Sequence, residues 1–191
     1  MTRVYDNVGG LRGLPVSEWS AEVHRLLDGA VETVNAMGEA DADRDPLPTL
    51  SLIAHQPRLL GPFLGWAAAL ALEGALQPRH AEILALRVSL LAGSEFEWRE
   101  HSGYGRLAGL TDADFERIER GPSASEWNDA ERALLQAAED LDTQHVIAPS
   151  TVAELGAHFS SAQIVEAILV CGQYRMLSTL ANTAGIDDHI S

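Results

Sequence analysis

The sequence predicts an all-α protein of seven or eight helices, and two observations lead to this fold class. Strand signals are missing, because β-branched residues nowhere alternate with polar ones, while Ala, Leu and Glu are abundant. Helix starts also recur, as a capping hydroxyl followed in the next turn by an acid or an amide. These pairs are Thr111 with Asp114, Thr151 with Glu154, and Ser160 with Gln163.

The N-terminal region predicts one amphipathic helix over residues 17–37, followed by a polar loop over 38–45. The apolar side of this helix is formed by Trp19, Val23, Leu26, Leu27 and Val31. Residues 1–45 are therefore predicted to be an N-terminal helix and loop extension, and residues 46–191 the main helical domain.

Proline residues mark the starts of the next three helices, which are predicted over 50–55, 57–74 and 79–92. The third of these is strongly periodic. Gly93 breaks or bends it, and the helical pattern continues over 94–108.

The C-terminal half predicts two short helices, over 112–120 and 152–158, and two long ones. Residues 125–142 are amphipathic. Residues 163–183 are apolar on most faces, so this helix is expected at the centre of the domain or at a subunit interface.

Charge and composition exclude several classes of function. The formal net charge of −15 argues against nucleic-acid binding, which needs clustered cations. All 13 basic residues are Arg, and the absence of Lys excludes catalysis through a lysine Schiff base. The single Cys171 excludes an internal disulfide, and it is expected to be a small core residue.

The chain shows no sign of a membrane or secretion segment. It has no run of about 18 apolar residues, and residues 1–13 lack an apolar signal core. We therefore expect a cytoplasmic protein without membrane association.

A possible site lies at the start of the helix over 94–108. Ser94, Glu97 and His101 share one helical face, and Glu97 can reach the His101 imidazole from one turn away. Glu82 on the preceding helix can face the same point if Gly93 bends the chain. Two carboxylates and a His form a general acid/base set, although Ser94 and Glu97 also fit a capping box and His101 an ordinary half-buried residue.

Two segments resemble the carboxymuconolactone decarboxylase family, which includes the AhpD-like alkylhydroperoxidases. They are residues 78–87 (Pro-Arg-His-Ala-Glu-Ile-Leu-Ala-Leu-Arg) and residues 93–101 (Gly-Ser-Glu-Phe-Glu-Trp-Arg-Glu-His). Residues 54–60 and 172–178 also look like family segments. The resemblance covers residues 46–185 and implies an AhpD-like helical domain that assembles as a homo-oligomer, either a trimer or a hexamer.

The resemblance also implies roles for individual residues. Glu82 is similar in position to the family's proton-relay Glu, and His101 to its His. Ser94 and Glu97 stand where the peroxidase branch has its Cys-x-x-Cys pair, so a thiol peroxidase mechanism is not available to this chain. What remains is an acid/base enzyme similar to a lyase (decarboxylase), an isomerase or a dehydratase, acting on a small organic acid, lactone or related carbonyl compound.

For an acidic lactone, we expect Arg87 or Arg175 to bind the substrate carboxylate. Glu82 or His101 then delivers a proton to carbon after loss of CO₂, and Glu97 orients His101. The expected pocket residues are Ser94, Phe96, Trp98, Trp66 and Tyr174, with His55 behind them. The aromatic residues in this set are also typical of ordinary core packing.

Two further hypotheses stay open at this point. Glu82, Glu97 and His101 are possible metal ligands, although a carboxylate–His pair is more often a hydrogen bond. The chain could also be a non-catalytic, oligomeric ligand-binding protein. The working expectation is a small-molecule substrate, with no cofactor and no metal.

Overall fold

The computed structural model describes residues 11–36 and 47–186, and within these ranges all long regular elements are helices. The predicted all-α fold class is confirmed. The described ranges contain nine α-helices: α1 (Ala21–Ala36), α2 (Leu47–Ile53), α3 (Pro57–Leu72), α4 (Pro78–Ala92), α5 (Glu95–Leu107), α6 (Asp112–Arg120), α7 (Asp129–Gln144), α8 (Pro149–Gly156) and α9 (Ser161–Ala184). The polar loop predicted over 38–45 lies outside the described residues.

Gly93 explains why the described part of the chain has nine helices instead of seven or eight. Its φ of 62° places it in the left-handed region, where a glycine avoids the strain that a side chain would cause. The Gly93 N–H donates to the Leu90 carbonyl, which ends α4. Ser94 then starts α5, because its side chain accepts a hydrogen bond from the Glu97 N–H. The chain therefore turns between two separate helices.

Two helices begin later than the sequence pattern predicts. α1 starts at Ala21 because Trp19 is extended, with its indole N–H donating to the Leu14 carbonyl. α7 starts at Asp129 because the side chain of Asn128 accepts a hydrogen bond from the Glu131 N–H. In both cases a single side-chain hydrogen bond accompanies the first residue of the helix. The periodicity of apolar residues in the sequence does not define that residue.

α4 is the central helix of the main core. Its opposite sides pack against α5, α6, α7 and α9. One side contributes Leu84 and Val88 to a cluster shared with α7, α8 and α9. The other contributes Ile83 and Leu86 to a cluster with α6 and α7. Because two sides of α4 are packed in these clusters, the helix is a fixed support for its other side chains, including Glu82.

α1, α2 and α3 form a smaller unit beside this core. Val23 and Leu27 of α1 pack against Leu50 of α2 and Leu60 of α3, and all four side chains are buried. The N-terminal helix therefore packs directly on the first two helices of the region that the sequence assigns to the main domain.

α9 combines a buried side with an exposed apolar side. Its buried side packs against α4, while Val165, Ile168, Leu169 and Met176 remain exposed. By length and composition alone, α9 could cross a membrane, but core helices of other proteins also meet these criteria. The prediction that this helix lies against the centre of the domain is consistent with its packing on α4.

Candidate active site

Glu82 of α4 and His101 of α5 form a direct pair. The His101 Nδ1 lies 2.8 Å from the Glu82 Oε2, so the Nδ1–H donates to the carboxylate. The turn at Gly93 makes this possible, because it folds α5 back against α4. Glu82 lies twelve positions before Ser94 in the sequence, and His101 lies seven positions after it. The structure thus brings these two residues together.

Two more carboxylates surround the imidazole. The Glu97 Oε2 lies 3.9 Å from the His101 Nε2, which is beyond hydrogen-bond distance. Glu97 and Glu100 are only 3% and 7% exposed, and His101 is 7% exposed. The sequence pattern singles out Glu97 but not Glu100, which lies close to one turn further along the same helix.

The electrostatic surroundings favour the charged form of His101. Burial alone lowers its pKa, but the charge of Glu82 and its hydrogen bond, followed by the charges of Glu97 and Glu100, outweigh burial and raise the pKa above 6.5. The Tyr174 ring packs edge-on against the imidazole, with 4.2 Å between ring centroids. Burial, together with Glu82 and Glu97, raises the Tyr174 pKa well above 10, so the hydroxyl stays protonated.

These groups line one end of a cavity of about 490 Å³, called the main cavity below. This volume is in the range typical of small-molecule sites. The polar end is formed by Glu82, Glu97, Glu100, His101, Tyr104, Gln173 and Tyr174. Phe96 and Leu177 also line it, so two of the predicted aromatic wall residues, Phe96 and Tyr174, do face the main cavity.

The remaining wall comes from the small N-terminal unit. α1 contributes Arg25, Leu26, Gly29, Ala30, Thr33 and Val34, α2 contributes Thr49 and Leu50, and α3 contributes eight residues between Gly61 and Leu72. Sequence reasoning missed this wall. The amphipathic pattern of α1 shows that one face is buried, but it does not show which partner or cavity that face meets.

The two arginines predicted to bind a substrate carboxylate lie elsewhere. Arg87 donates to the carbonyl oxygens of Ile118 and Glu119, at 2.7 and 2.9 Å, and also pairs with Glu139. Arg175 pairs with Asp142 beside a second cavity. Neither lines the main cavity, so the expected substrate-binding role of these arginines conflicts with their contacts.

Four other predicted pocket residues are also placed away from the main cavity. Ser94 is the N-cap of α5, and Trp98 packs against Phe115 in the core. Trp66 is 43% exposed. His55 is exposed, and its Nε2 lies 2.8 Å from the Arg12 carbonyl oxygen. Whether a side chain faces the main cavity, as Phe96 and Tyr174 do, depends on how its helix packs against the others. The sequence alone does not specify this packing.

Neither metal nor thiol chemistry gains support from the described side chains. Within residues 11–36 and 47–186, no group of three or more His, Cys, Asp or Glu residues has a metal-binding arrangement. Cys171 is buried, and burial raises its pKa to about 12, so it stays a thiol. It lines the second cavity with Arg175, not the main one.

Comparison with known proteins supports the resemblance seen in the sequence. The model of the carboxymuconolactone decarboxylase family matches residues 57–140, a range that contains Glu82, Glu97 and His101. No curated protein matches this sequence.

Solved structures show the same fold at low sequence identity. A protein of unknown function from Agrobacterium tumefaciens, a candidate antioxidant defence protein AhpD, is 20% identical with a TM-score of 0.62, covering 68% of this chain and 90% of that one. The debrominase Bmp8 is 14% identical with a TM-score of 0.71, covering 92% of this chain and 89% of its own. A cysteine-to-alanine variant of Bmp8 bound to 2,3,4-tribromopyrrole is 15% identical with a TM-score of 0.69 over the same shares.

Proposed function

Residues 57–140 carry the carboxymuconolactone decarboxylase family segment, and from this premise we propose that the protein is a proton-transfer enzyme acting on a small organic compound. The reaction class is decarboxylation, isomerisation or dehydration of a lactone or related carbonyl compound. All three need a group that gives a proton to carbon or takes one from it. Glu82 and His101 are the proposed acid/base pair.

One observation carries this proposal: the Glu82–His101 pair opens onto the main cavity. A structural ion pair inside a packed core would have no space beside it for a substrate. Here about 490 Å³ of space adjoins the imidazole. A perturbed titratable group beside a cavity of this size is typical of a functional site.

We infer a separate task for each nitrogen of the imidazole. Glu82 accepts the Nδ1–H, which fixes the ring and favours its charged form. Nε2 is then the nitrogen that exchanges a proton with substrate carbon. After bond cleavage leaves an enolate, the Nε2–H protonates its carbon and His101 becomes neutral. Glu97, 3.9 Å from Nε2, stabilises the imidazolium when the proton returns from water.

Thiol redox chemistry is not part of the proposal. The sequence contains one Cys, and Ser94 and Glu97 occupy the positions of the thiol pair. The Bmp8 complex contributes an indication of ligand size, since that protein holds a small halogenated heteroaromatic ring. A ring of this size fits a cavity of about 490 Å³.

The test is proton exchange into carbon. The wild-type protein is incubated in D₂O with a panel of unsaturated lactones, enolisable ketones and β-keto acids, and NMR follows deuterium incorporation and CO₂ loss. For the compound that reacts, His101→Gln and Glu82→Gln are expected to lower the rate by about a hundredfold or more.

The matched control is His158→Gln, which changes an exposed histidine outside the main cavity and should keep the wild-type rate. The proposal fails if the wild type acts on none of the panel, or if His101→Gln keeps the full rate. Ligand binding without turnover would instead favour the non-catalytic alternative.

A further inference from the structure

Two tyrosines in the described part of the chain line the main cavity beside His101. The Tyr174 ring of α9 meets the imidazole edge-on, with 4.2 Å between the ring centroids and 72° between the ring planes. The Tyr104 ring, which belongs to the same helix as His101, is farther from the imidazole, at 5.5 Å between centroids. A ligand that contacts the imidazole therefore also lies next to the Tyr174 phenol.

The Tyr174 hydroxyl keeps its proton in these surroundings. Burial, followed by the charges of Glu82 and Glu97, raises the Tyr174 pKa well above 10. Near neutral pH the group is a neutral phenol, which can donate a hydrogen bond but does not act as a base. His101 and Tyr174 thus place two different groups side by side, a proton for transfer and a hydrogen-bond donor that keeps its own proton.

The neighbouring Gln173 also contacts the phenol. A hydrogen bond from the Gln173 side chain acts to lower the Tyr174 pKa, although burial and the carboxylates outweigh it. A hydrogen bond lowers the pKa of an acid when it is donated to the acid's oxygen, so the Gln173 amide N–H is the donor. The Gln173 Oε1 has no hydrogen-bond partner within the described ranges, in agreement with this orientation. The contact uses the phenolic oxygen and leaves its hydrogen for a ligand.

The proposed reactions require a donor of this kind. When the bond to carbon breaks, its electron pair moves towards the adjacent carbonyl oxygen, which becomes the oxygen of the enolate. The Nε2–H of His101 supplies the proton that the carbon receives, so the oxygen needs a second donor. Hydrogen-bond donors that are already in position where charge develops are among the largest contributions to enzyme catalysis.

We propose that Tyr174 is a catalytic residue whose hydroxyl donates a hydrogen bond to the carbonyl oxygen of the substrate. The reaction step rests on the proposed function. The hydrogen stays on Tyr174 throughout, because the bond only strengthens as charge moves onto the substrate oxygen and weakens once the Nε2–H of His101 has protonated the carbon. The substrate class is thus a carbonyl compound whose reacting carbon is joined to the carbonyl carbon.

A binding test uses two probes of nearly the same shape, acetophenone and α-methylstyrene, in which a CH₂ group replaces the carbonyl oxygen. Dissociation constants are measured at neutral pH by NMR titration. Tyr174→Phe keeps the ring against His101 and removes only the hydroxyl. It should weaken acetophenone binding by about fivefold, the effect of one neutral hydrogen bond, and leave the affinity for α-methylstyrene unchanged. A merely structural role of Tyr174 would weaken both probes alike.

A kinetic test uses the compound that reacts in the deuterium-exchange assay. Tyr174→Phe should lower its kcat by about a hundredfold and change its KM much less, because the hydrogen bond strengthens mainly in the transition state. The pH at which the rate depends on His101 should stay in place, since the aromatic ring still packs on the imidazole. Tyr104→Phe is the comparison and should reduce kcat less than Tyr174→Phe does.

The proposal is overturned if Tyr174→Phe binds acetophenone as tightly as the wild type, or if it weakens both probes equally. It is also overturned if neither probe binds the wild type, or if Tyr104→Phe is the variant that selectively loses the ketone. The binding test needs no turnover, so the hydrogen bond can be established even if no compound of the panel reacts. A full rate in Tyr174→Phe, alongside a large loss in His101→Gln, would remove Tyr174 from the mechanism and leave the proposed function intact.

Discussion

The His101 imidazole lies where burial favours the neutral form and three carboxylates favour the charged form. The nearest of these, Glu82, acts through both its charge and a 2.8 Å hydrogen bond. Ionisation of His101 therefore depends more on one contact than on the general acidity of the protein. That dependence can be measured without knowing the substrate.

Glu82→Gln is expected to lower the pKa of His101, because it removes the charge and weakens the hydrogen bond that favour the imidazolium. An NMR titration of the ring protons measures the change. In the wild type, the imidazolium's contribution to stability is complete below pH 6.5 and is lost as the pH rises through the raised pKa of the folded state.

The exposed Glu154→Gln serves as the control and should leave the His101 titration in place. An unchanged His101 pKa in Glu82→Gln would show that the pair does not set the protonation state. The proposed role of Glu82 in proton transfer would then lose its physical basis.

Arg87 is predicted to matter for stability and not for ligand binding. Arg87→Ala leaves the Ile118 and Glu119 carbonyls and the Glu139 carboxylate without their donor, and should lower the free energy of unfolding by about 3 kcal/mol. Urea denaturation measures the loss.

The exposed pair of Arg106 and Asp112 provides the comparison, and Arg106→Ala should cost less than about 1 kcal/mol. If Arg87→Ala instead slowed the reaction of the compound that the wild type turns over while keeping the wild-type stability, the sequence-based role of Arg87 at the substrate would be supported.

The contrast between Glu82 and Arg87 shows what the sequence can predict at this scale. Glu82, Glu97 and His101 are close along two consecutive helices, so helical periodicity and one turn at Gly93 suffice to bring them together. The partners of Arg87 lie 31, 32 and 52 positions away, in α6 and α7. Nothing in the local pattern distinguishes a buried structural arginine from one that faces a cavity.

At the scale of the helix, α1 is both a wall of the main cavity and an element weakened by a glycine. Gly29 lies in the middle of α1, where a residue without a side chain costs conformational entropy on folding. Its lack of close neighbours leaves room for a methyl group.

Gly29→Ala is expected to raise the free energy of unfolding by about 0.5 to 1 kcal/mol, because alanine favours the helix and meets no clash. Gly109→Ala is the matched comparison, since its added Cβ also meets nothing within 4 Å, but its φ is +87°. That variant should be destabilised. Equal effects of the two substitutions in thermal or urea unfolding would contradict the argument.

The helices themselves could be predicted better than their arrangement around the main cavity. Pro57, Pro78 and the capping side chains at Thr111 and Ser160 mark helix starts in the sequence and in the structure. The contact between α1 and α3 depends on side-chain packing over a long separation. Local patterns do not contain that information.

At the scale of the whole molecule, a partly buried ion network joins three helices. Arg79 of α4 donates to Glu131 of α7 at 2.7 Å and to Asp114 of α6 at 2.9 Å. Asp114 also accepts hydrogen bonds from Thr111 and Arg117. Burial alone raises the pKa of Asp114, but the hydrogen bonds from Arg79 and Thr111 outweigh it and lower the pKa from 3.8 to about 2.

Acid unfolding should therefore depend on Asp114. The stabilisation from its lowered pKa is present above pH 3.8 and is lost as the pH falls to about 2, which amounts to about 2 kcal/mol. Asp114→Asn should lower stability at neutral pH and flatten the pH dependence in this acidic range. Asp112→Asn, at an exposed neighbouring position, should change neither property in urea unfolding measured across the range.

The main cavity joins two stretches of the chain that can change independently. Glu82 and His101 lie in the segment that the family model matches, whereas α1, which lines the same cavity, precedes that segment. Substitutions in α1 can reshape the space beside the imidazole without changing Glu82 or His101. This division makes α1 the element whose substitutions are expected to change which ligands the main cavity accepts, while the contact between Glu82 and His101 stays the same.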